Sequence, residues 1–202
     1  MKTDFKKDIP AYTARRGAFD IVEVPPLRYL MIDGHGDPNA QEYGDAISTI
    51  FPVAYKLKFL SKKELDRDYV VMPLEALWWS DDMSSFTTDR DKSQWDWTAL
   101  NMIPHWITDD LVDRALAAAA DAPAIAKVRI ATLAEGRCVQ TLHLGPFDDE
   151  GPVLARLHDE YIPAQGLRMT GKHHEIYLSD LRRTDPSKLR TILRQPVTDA
   201  AD

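Results

Sequence analysis

From Phe19 the chain alternates apolar and polar residues through FDIVEV (19–24), and Pro25-Pro26 stop the run. A period of two is that of a half-buried strand. RYLMIDGHG (28–36) predicts a second strand running into a glycine turn. At Tyr43 the period lengthens: Tyr43, Ala46, Ile47, Ile50, Phe51, Ala54 and Leu57 follow the spacing of an amphipathic helix. Pro52 within it predicts a kink, or an end to regular hydrogen bonding. DYVVMPLEALWW (68–79) returns to strand character, SDDMSSFTTDRDKS (80–93) is a polar connection, and WDWTALNMI (95–103) is another strand. Thr108 reads as an N-cap, with Asp109 and Asp110 complementing the dipole of a helix over LVDRALAAAA.

The pattern then restarts. VRIATLAEGRCVQTLHLGPF predicts two strands joined at Glu135-Gly136, and Pro152 opens a helix carrying Val153, Leu154, Leu157 and Tyr161. GKHHEIYLSD (171–180) is a strand, and Asp185-Pro186 predicts a short last helix closed by Pro196. Each half runs strand, glycine turn, helix, strand: 29–36, 43–58 and 69–79, then 139–145, 152–162 and 172–179. The expected fold is α+β: a pseudo-two-fold duplication of a βαββ-like module, with an antiparallel sheet, helices on one face and a ligand groove between the repeats. Residues 1–17 read as a polar, loosely held N-terminal arm. Residues 18–202 form a single domain, with repeat one over about 18–107 and repeat two over about 127–198.

Composition narrows the function. A formal net charge of −7 opposes a general nucleic-acid binder. No apolar run approaches the roughly 20 residues of a membrane span. The start lacks the apolar segment of a secretory signal. Cys138 is the only cysteine, which suits a reducing cytoplasm, and its strand position predicts a packed thiol. Neither nucleic acid nor membrane is expected as a partner, and oligomeric state is open.

The HHEIYLS strand carries the candidate chemistry. His174, Ile176 and Leu178 share one face, and His173, Glu175, Tyr177 and Ser179 share the other. That second face is either a solvated sheet surface or the wall of a pocket. In a pocket Glu175 would be desolvated and serve as a base or as a counter-ion for a cation. Glu75 in PLEALWW stands opposite Glu175 in the repeat and shares its face with Trp79. Trp78, Trp79, Trp95, Trp97 and Trp106 all lie in one stretch, as core or as walls for a flat ligand. DGHGD spaces Asp33, His35 and Asp37 alternately, but its glycines mark a turn, and no metal is expected. His143 reads as a hydrogen-bonded strand histidine. No nucleophile elbow or phosphate-binding glycine loop is present.

LHLGPFDDEGPVLARLHDEYI, GKHHEIYLSD and LRTILRQPV, in that order, resemble the GyrI-like small-molecule-binding family. SQWDWTALNMIPHWIT resembles the segment that stand-alone members carry between repeats, so the likeness spans roughly 17–198. LSDLRRT departs from it, with leucine where many relatives have proline. The resemblance implies two βαββ-like modules with a groove between them. It also implies a buried glutamate at Glu175 that meets cationic aromatic ligands in drug-binding relatives. In the cyclopropanoid cyclopropyl hydrolase branch, groove glutamate and aromatic residues act on a strained ring. On that basis Glu175 and Tyr177 are the expected catalytic residues. Trp79, Trp97, Trp106, Glu75, Trp95 and His173 are the expected ligand-binding ones.

Residues 1–18 are too few for a helix-turn-helix module, which removes the transcription-regulator members of the family. Three expectations remain: a cofactor-independent hydrolase of cyclopropane-bearing aromatic electrophiles, a non-catalytic binder of cationic or planar compounds, and an inhibitory partner of a topoisomerase.

Overall fold

The computed structural model describes residues 2–86, 90–180 and 182–200. In chain order the first half holds β1 (Lys2–Thr3), α1 (Phe5–Asp8), β2 (Asp20–Val24), β3 (Leu27–His35), α2 (Gln41–Glu64), β4 (Asp68–Tyr69), β5 (Glu75–Trp79), β6 (Asp96–Ile103) and α3 (Asp109–Ala117). The second holds β7 (Arg129–Leu133), β8 (Gly136–Leu144), α4 (Gly151–Ala155), a π-helical turn (Arg156–Tyr161), α5 (Ile162–Ala164), β9 (Leu167–Met169), β10 (His173–Tyr177) and β11 (Arg190–Asp199). Among the described residues, nine strands form one antiparallel sheet, ordered β2-β8-β11-β10-β5-β6-β3-β7, with β9 paired to β11. The fold is α+β. Its two end strands cross over: β2 pairs with β8 and β7 with β3.

Both helical layers lie on one face of the sheet. α2 turns Ala46, Ile50, Val53, Ala54 and Leu57 inward at helical spacing, all essentially buried. Each large apolar side chain so buried contributes on the order of 1.5–3 kcal/mol. The helix runs unbroken through Pro52. Both Pro52 and Ser48, whose carbonyl loses its partner there, lie on the exposed side of the helix, where a freed carbonyl costs least. Thr108 caps α3 as the sequence predicts, its side chain accepting from the Leu111 N–H. The second helical layer is interrupted by the π-helical turn, a feature that often marks functional sites. Its Leu157 and Ile162 pack on Val139 and Val197 of the same sheet face.

Two expectations are corrected. TILRQPV is not a terminal helix but the core of β11. Only Pro186–Lys188 form a helical turn. Thr191, Ile192 and Val197 favour the extended backbone. Pro196 is tolerated inside the strand because one flanking strand changes there, β10 pairing through Arg194 and β9 from Val197. The N-terminal residues are also not a loose arm. β1 pairs with β4, and Ala11 and Tyr12 are buried against the sheet face opposite the helices.

Gly34 shows how tightly the helix-side layer is packed. A Cβ on Gly34 would land inside the Trp97 indole on the neighbouring strand. Gly34→Ala is therefore expected to destabilise the fold by about 1–3 kcal/mol, read as a lowered urea midpoint with unchanged slope.

Candidate functional site

β5 and β10 lie side by side at the centre of the sheet, with Glu175 opposite Ala76 and His174 opposite Leu77. Alternation therefore sends Glu175, His173, Tyr177 and Trp78 to the helix-covered face, and His174, Ile176, Glu75 and Leu77 to the other. On the helix side, the Tyr177 hydroxyl donates to Glu175 Oε2 at 2.7 Å and accepts from Trp78 Nε1 at 3.1 Å. The pair sits in an aromatic enclosure. Tyr43 of α2 packs on Trp78 and Trp97, Trp78 meets Trp95 edge-on, Phe86 stacks on Trp95 at 4.4 Å, and Phe147 meets Tyr177. Arg90 and Asp148 form an ion pair that joins the segment bearing Phe86 to the turn bearing Phe147. These elements roof the face.

This enclosure concentrates polar atoms that the protein answers poorly. Tyr43 Oη, Glu150 Oε1, Thr191 Oγ1, His158 Nε2 and both ring nitrogens of His173 are buried without a well-formed hydrogen bond: the candidate partners are Thr191 for Glu150, Tyr177 for Tyr43 and Gln195 for His173. Native proteins pair the large majority of such groups, and a cluster of exceptions marks a place where something else supplies the partners. His173 Nε2 lies 3.7 Å from Glu175 Oε1, and its ring is 5.7 Å from that of His158. Burial lowers the His173 pKa to about 3, so it is neutral near pH 7. Burial likewise raises Glu175 above the usual carboxylate range, against the Tyr177 hydrogen bond, which favours the ionised form. Glu150, at the start of α4, is raised further, by burial and then by the Glu175 charge.

The expected site residues are thus divided. Glu175, Tyr177, Trp95, Trp97 and His173 share the helix side. Glu75 and Trp79 point to the other face. Trp79 carries Lys172 Nζ 2.9 Å from its ring centroid. Trp106 is remote, packed on Phe5 and Tyr69 and bonded to Ser61 of α2. Sequence reasoning did not single out Glu150, Tyr43, His158 or Thr191. Glu150 directly precedes Gly151-Pro152, where an acid reads as an ordinary complement to a helix N-terminus, so no separate signal existed.

Glu75 belongs to a different construction on the opposite face. Its carboxylate accepts from Tyr12 (2.6 Å) and Tyr29 (3.3 Å) and lies 3.0 Å from His174 Nε2. His174 Nδ1 is 2.9 Å from Glu135 Oε1, and Arg194 donates to Glu135 Oε2, Gln140 Oε1 and the Ala11 carbonyl. Its polar atoms answer one another, with only the His174 Nε2–Glu75 contact falling outside hydrogen-bond geometry, so it reads as a structural network. A pocket of about 480 Å³ opens on this face, lined by Leu77, Arg129, Glu135 and Lys172 among others. The DGHGD carboxylates and histidine are spent locally: Asp33 on Arg129 and Thr98, His35 on Asp96, Asp37 on Asn39. His143 bonds the Pro146 carbonyl, and Cys138 is a buried thiol. No helix among the described residues is long and apolar enough to cross a membrane.

The family model of the GyrI-like small molecule binding domain matches residues 18–198. A crystal structure of an uncharacterized conserved protein from Listeria innocua is 36% identical, with a TM-score of 0.88 over 98% of this chain and 100% of that one. A structure described as a hydrolase from Listeria innocua is also 36% identical, with a TM-score of 0.83 and the same coverage. The EcmrR C-terminal domain shares the fold at 12% identity and a TM-score of 0.57, over 90% of this chain and 98% of that one. No curated protein matches.

Proposed function

Because the chain belongs to the GyrI-like small-molecule-binding domain family, we propose that the enclosure around Glu175 is its ligand site and that it hydrolyses strained, cyclopropane-bearing aromatic electrophiles. The observation that carries this reading is the cluster of buried polar atoms without well-formed hydrogen bonds around a carboxylate walled by Tyr43, Trp78, Trp95 and Phe147. Similarity to a Listeria hydrolase along the full chain supports the enzyme reading.

In this mechanism an aromatic electrophile stacks among the tryptophans. Glu175 takes a proton from a water that attacks the strained ring carbon. Tyr177 fixes the carboxylate through its 2.7 Å bond, and Trp78 fixes Tyr177 in turn. His173, neutral, is placed to hydrogen-bond the water or the substrate. No metal or organic cofactor takes part. In a cell the reaction would remove a DNA-alkylating compound, a detoxifying role suited to the cytoplasm.

The test is turnover: purified protein with a cyclopropane-bearing alkylator, followed by chromatography and mass spectrometry. Catalytic formation of a ring-opened product one water heavier is expected. Unchanged compound at all times would overturn the hydrolase reading. The aromatic wall beside a carboxylate also favours a second reading, a binder of lipophilic cations. It predicts saturable, one-to-one binding of such a cation with no chemistry.

A further inference from the structure

The mechanism above leaves one demand unmet. When the cyclopropane bond breaks, its electron pair flows into the ring and leaves an oxyanion that needs a proton. Tyr177 is poorly placed to give one, because its hydrogen is already committed to Glu175 Oε2. The structure holds another acid on the same face. Glu150 is 5% exposed, and its Oε1 is buried without a well-formed hydrogen bond. Its neighbour Thr191 stands opposite Tyr177 across β10 and β11, and its hydroxyl, close enough to favour the ionised carboxylate, makes no well-formed hydrogen bond.

We infer that Glu150 is the proton donor of this site, acting with Glu175 as a carboxyl pair that shares one proton. The inference rests on the hydrolase reading and deepens it. The water oxygen bonds the ring carbon while a water proton passes to the Glu175 carboxylate. The carbon–carbon bond breaks, and the electron pair aromatises the substrate and develops as a phenolate that takes the Glu150 proton. The product is substrate plus water. Glu175 is left protonated and Glu150 ionised, and transfer of one proton between them restores the pair.

The electrostatics agree with this geometry. Two carboxyls in a desolvated space cannot both ionise near neutrality. Burial first, then Glu175 on β10 and Asp148 on the same turn, oppose ionisation of Glu150, and the Thr191 hydroxyl favours it without outweighing them. Thr191 and Tyr177 of the sheet face Glu150, and Tyr177 and Tyr43 of α2 face Glu175. His173 and His158 lie beyond Glu175. His173 is held neutral, and burial lowers the His158 pKa as well. Neither counters the pair with a positive charge near pH 7. The positive His174 that pulls Glu175 down points to the opposite face.

Carbon-13 labelling of glutamate side chains tests the pair without any substrate. A carboxyl signal that stays protonated at pH 7, and disappears in Glu150→Gln, is expected. If Glu150 titrates as an ordinary carboxylate, the inference fails whatever the turnover assay shows. With an alkylator, wild-type kcat/KM should rise with pH as Glu175 ionises and fall as Glu150 does. Glu150→Gln should lose roughly 10²-fold or more in kcat and lose the alkaline limb. Its acidic limb should stay in place, since glutamine mimics the neutral acid. A substrate with an electron-poor phenol, whose oxyanion needs a proton less, should suffer a smaller loss. Should Glu150→Gln prove poorly folded, Glu150→Asp keeps the acid and should keep both limbs at reduced rate. Wild-type turnover with full rate and both limbs in Glu150→Gln would sink the donor role and leave the hydrolase reading standing.

Discussion

Glu175→Gln is expected to lower kcat for ring opening by about 10²–10⁴-fold, the usual contribution of a general base, with little change in KM. The exchange is isosteric. Tyr177 can still donate to the amide oxygen in place of Oε2, so the aromatic enclosure should keep its shape and the protein its melting temperature. What disappears is the capacity to accept a proton from water. The pH dependence points the same way. Burial raises the Glu175 pKa, and a base works only when ionised, so wild-type activity should fall as pH drops through that raised value. In Glu175→Gln the remaining slow rate should be flat there. Parallel stopped-time assays of the two proteins across the acidic range would decide it. Full turnover in the variant would remove Glu175 as base. If instead neither protein turns over substrate but only wild type binds a lipophilic cation tightly, Glu175 is a counter-ion and the binder reading prevails.

Much of the fold was legible because the strands alternate cleanly. The two faces of HHEIY, for example, are assigned correctly by a period of two, and the register with β5 then fixes Trp78 beside Glu175's face. Thr108 announced its own helix through its hydroxyl and the acids behind it. Other features had no local signature. Pro196 reads as a helix terminator in isolation. Its tolerance in β11 depends on where β10 stops and β9 begins, residues distant in sequence. The polar 1–17 segment is held by groups far along the chain, Glu75 and Arg194 among them. For the site, equating Glu75 with Glu175 by the repeat misleads, because the two sit one residue out of register across β5 and β10 and so face opposite ways. Tryptophans cluster in sequence but disperse in space: Trp106 joins the α2–α3 core while Trp95 and Trp97 reach the enclosure.

The largest stability effect is expected from the opposite face. Arg194→Met should cost about 3–5 kcal/mol, the usual consequence of leaving a buried charge without its partner, and lower the melting temperature by ~10 °C. Arg194 is fully buried, and its loss strips Glu135 Oε2 of a 2.9 Å bond and the Ala11 carbonyl of a 2.6 Å one. Combining it with Glu135→Gln should recover part of the loss, since the carboxylate left with His174 as its remaining charged partner is then gone. The same network sets the pH range of stability. Burial alone would raise Glu135, but His174 and Arg194 outweigh it and hold the pKa at about 2, below its ordinary 4.5. Glu135 therefore stabilises fully above 4.5, and that stability is lost as pH falls toward 2. For His174, burial is outweighed by Glu135 and Glu75, which raise its pKa to about 9 from 6.5. Its contribution is complete below 6.5 and is lost as pH rises through 9. The network's own contribution, read as the urea-midpoint difference between wild type and Glu135→Gln, should thus be greatest between about pH 4.5 and 6.5 and decline on both sides. Because the network grips Ala11 and Tyr12, the N-terminal strap should loosen first, making residues 1–17 the earliest site of proteolysis in Arg194→Met. Cleavage elsewhere first, with the strap intact, would mean the network holds the sheet without holding the strap.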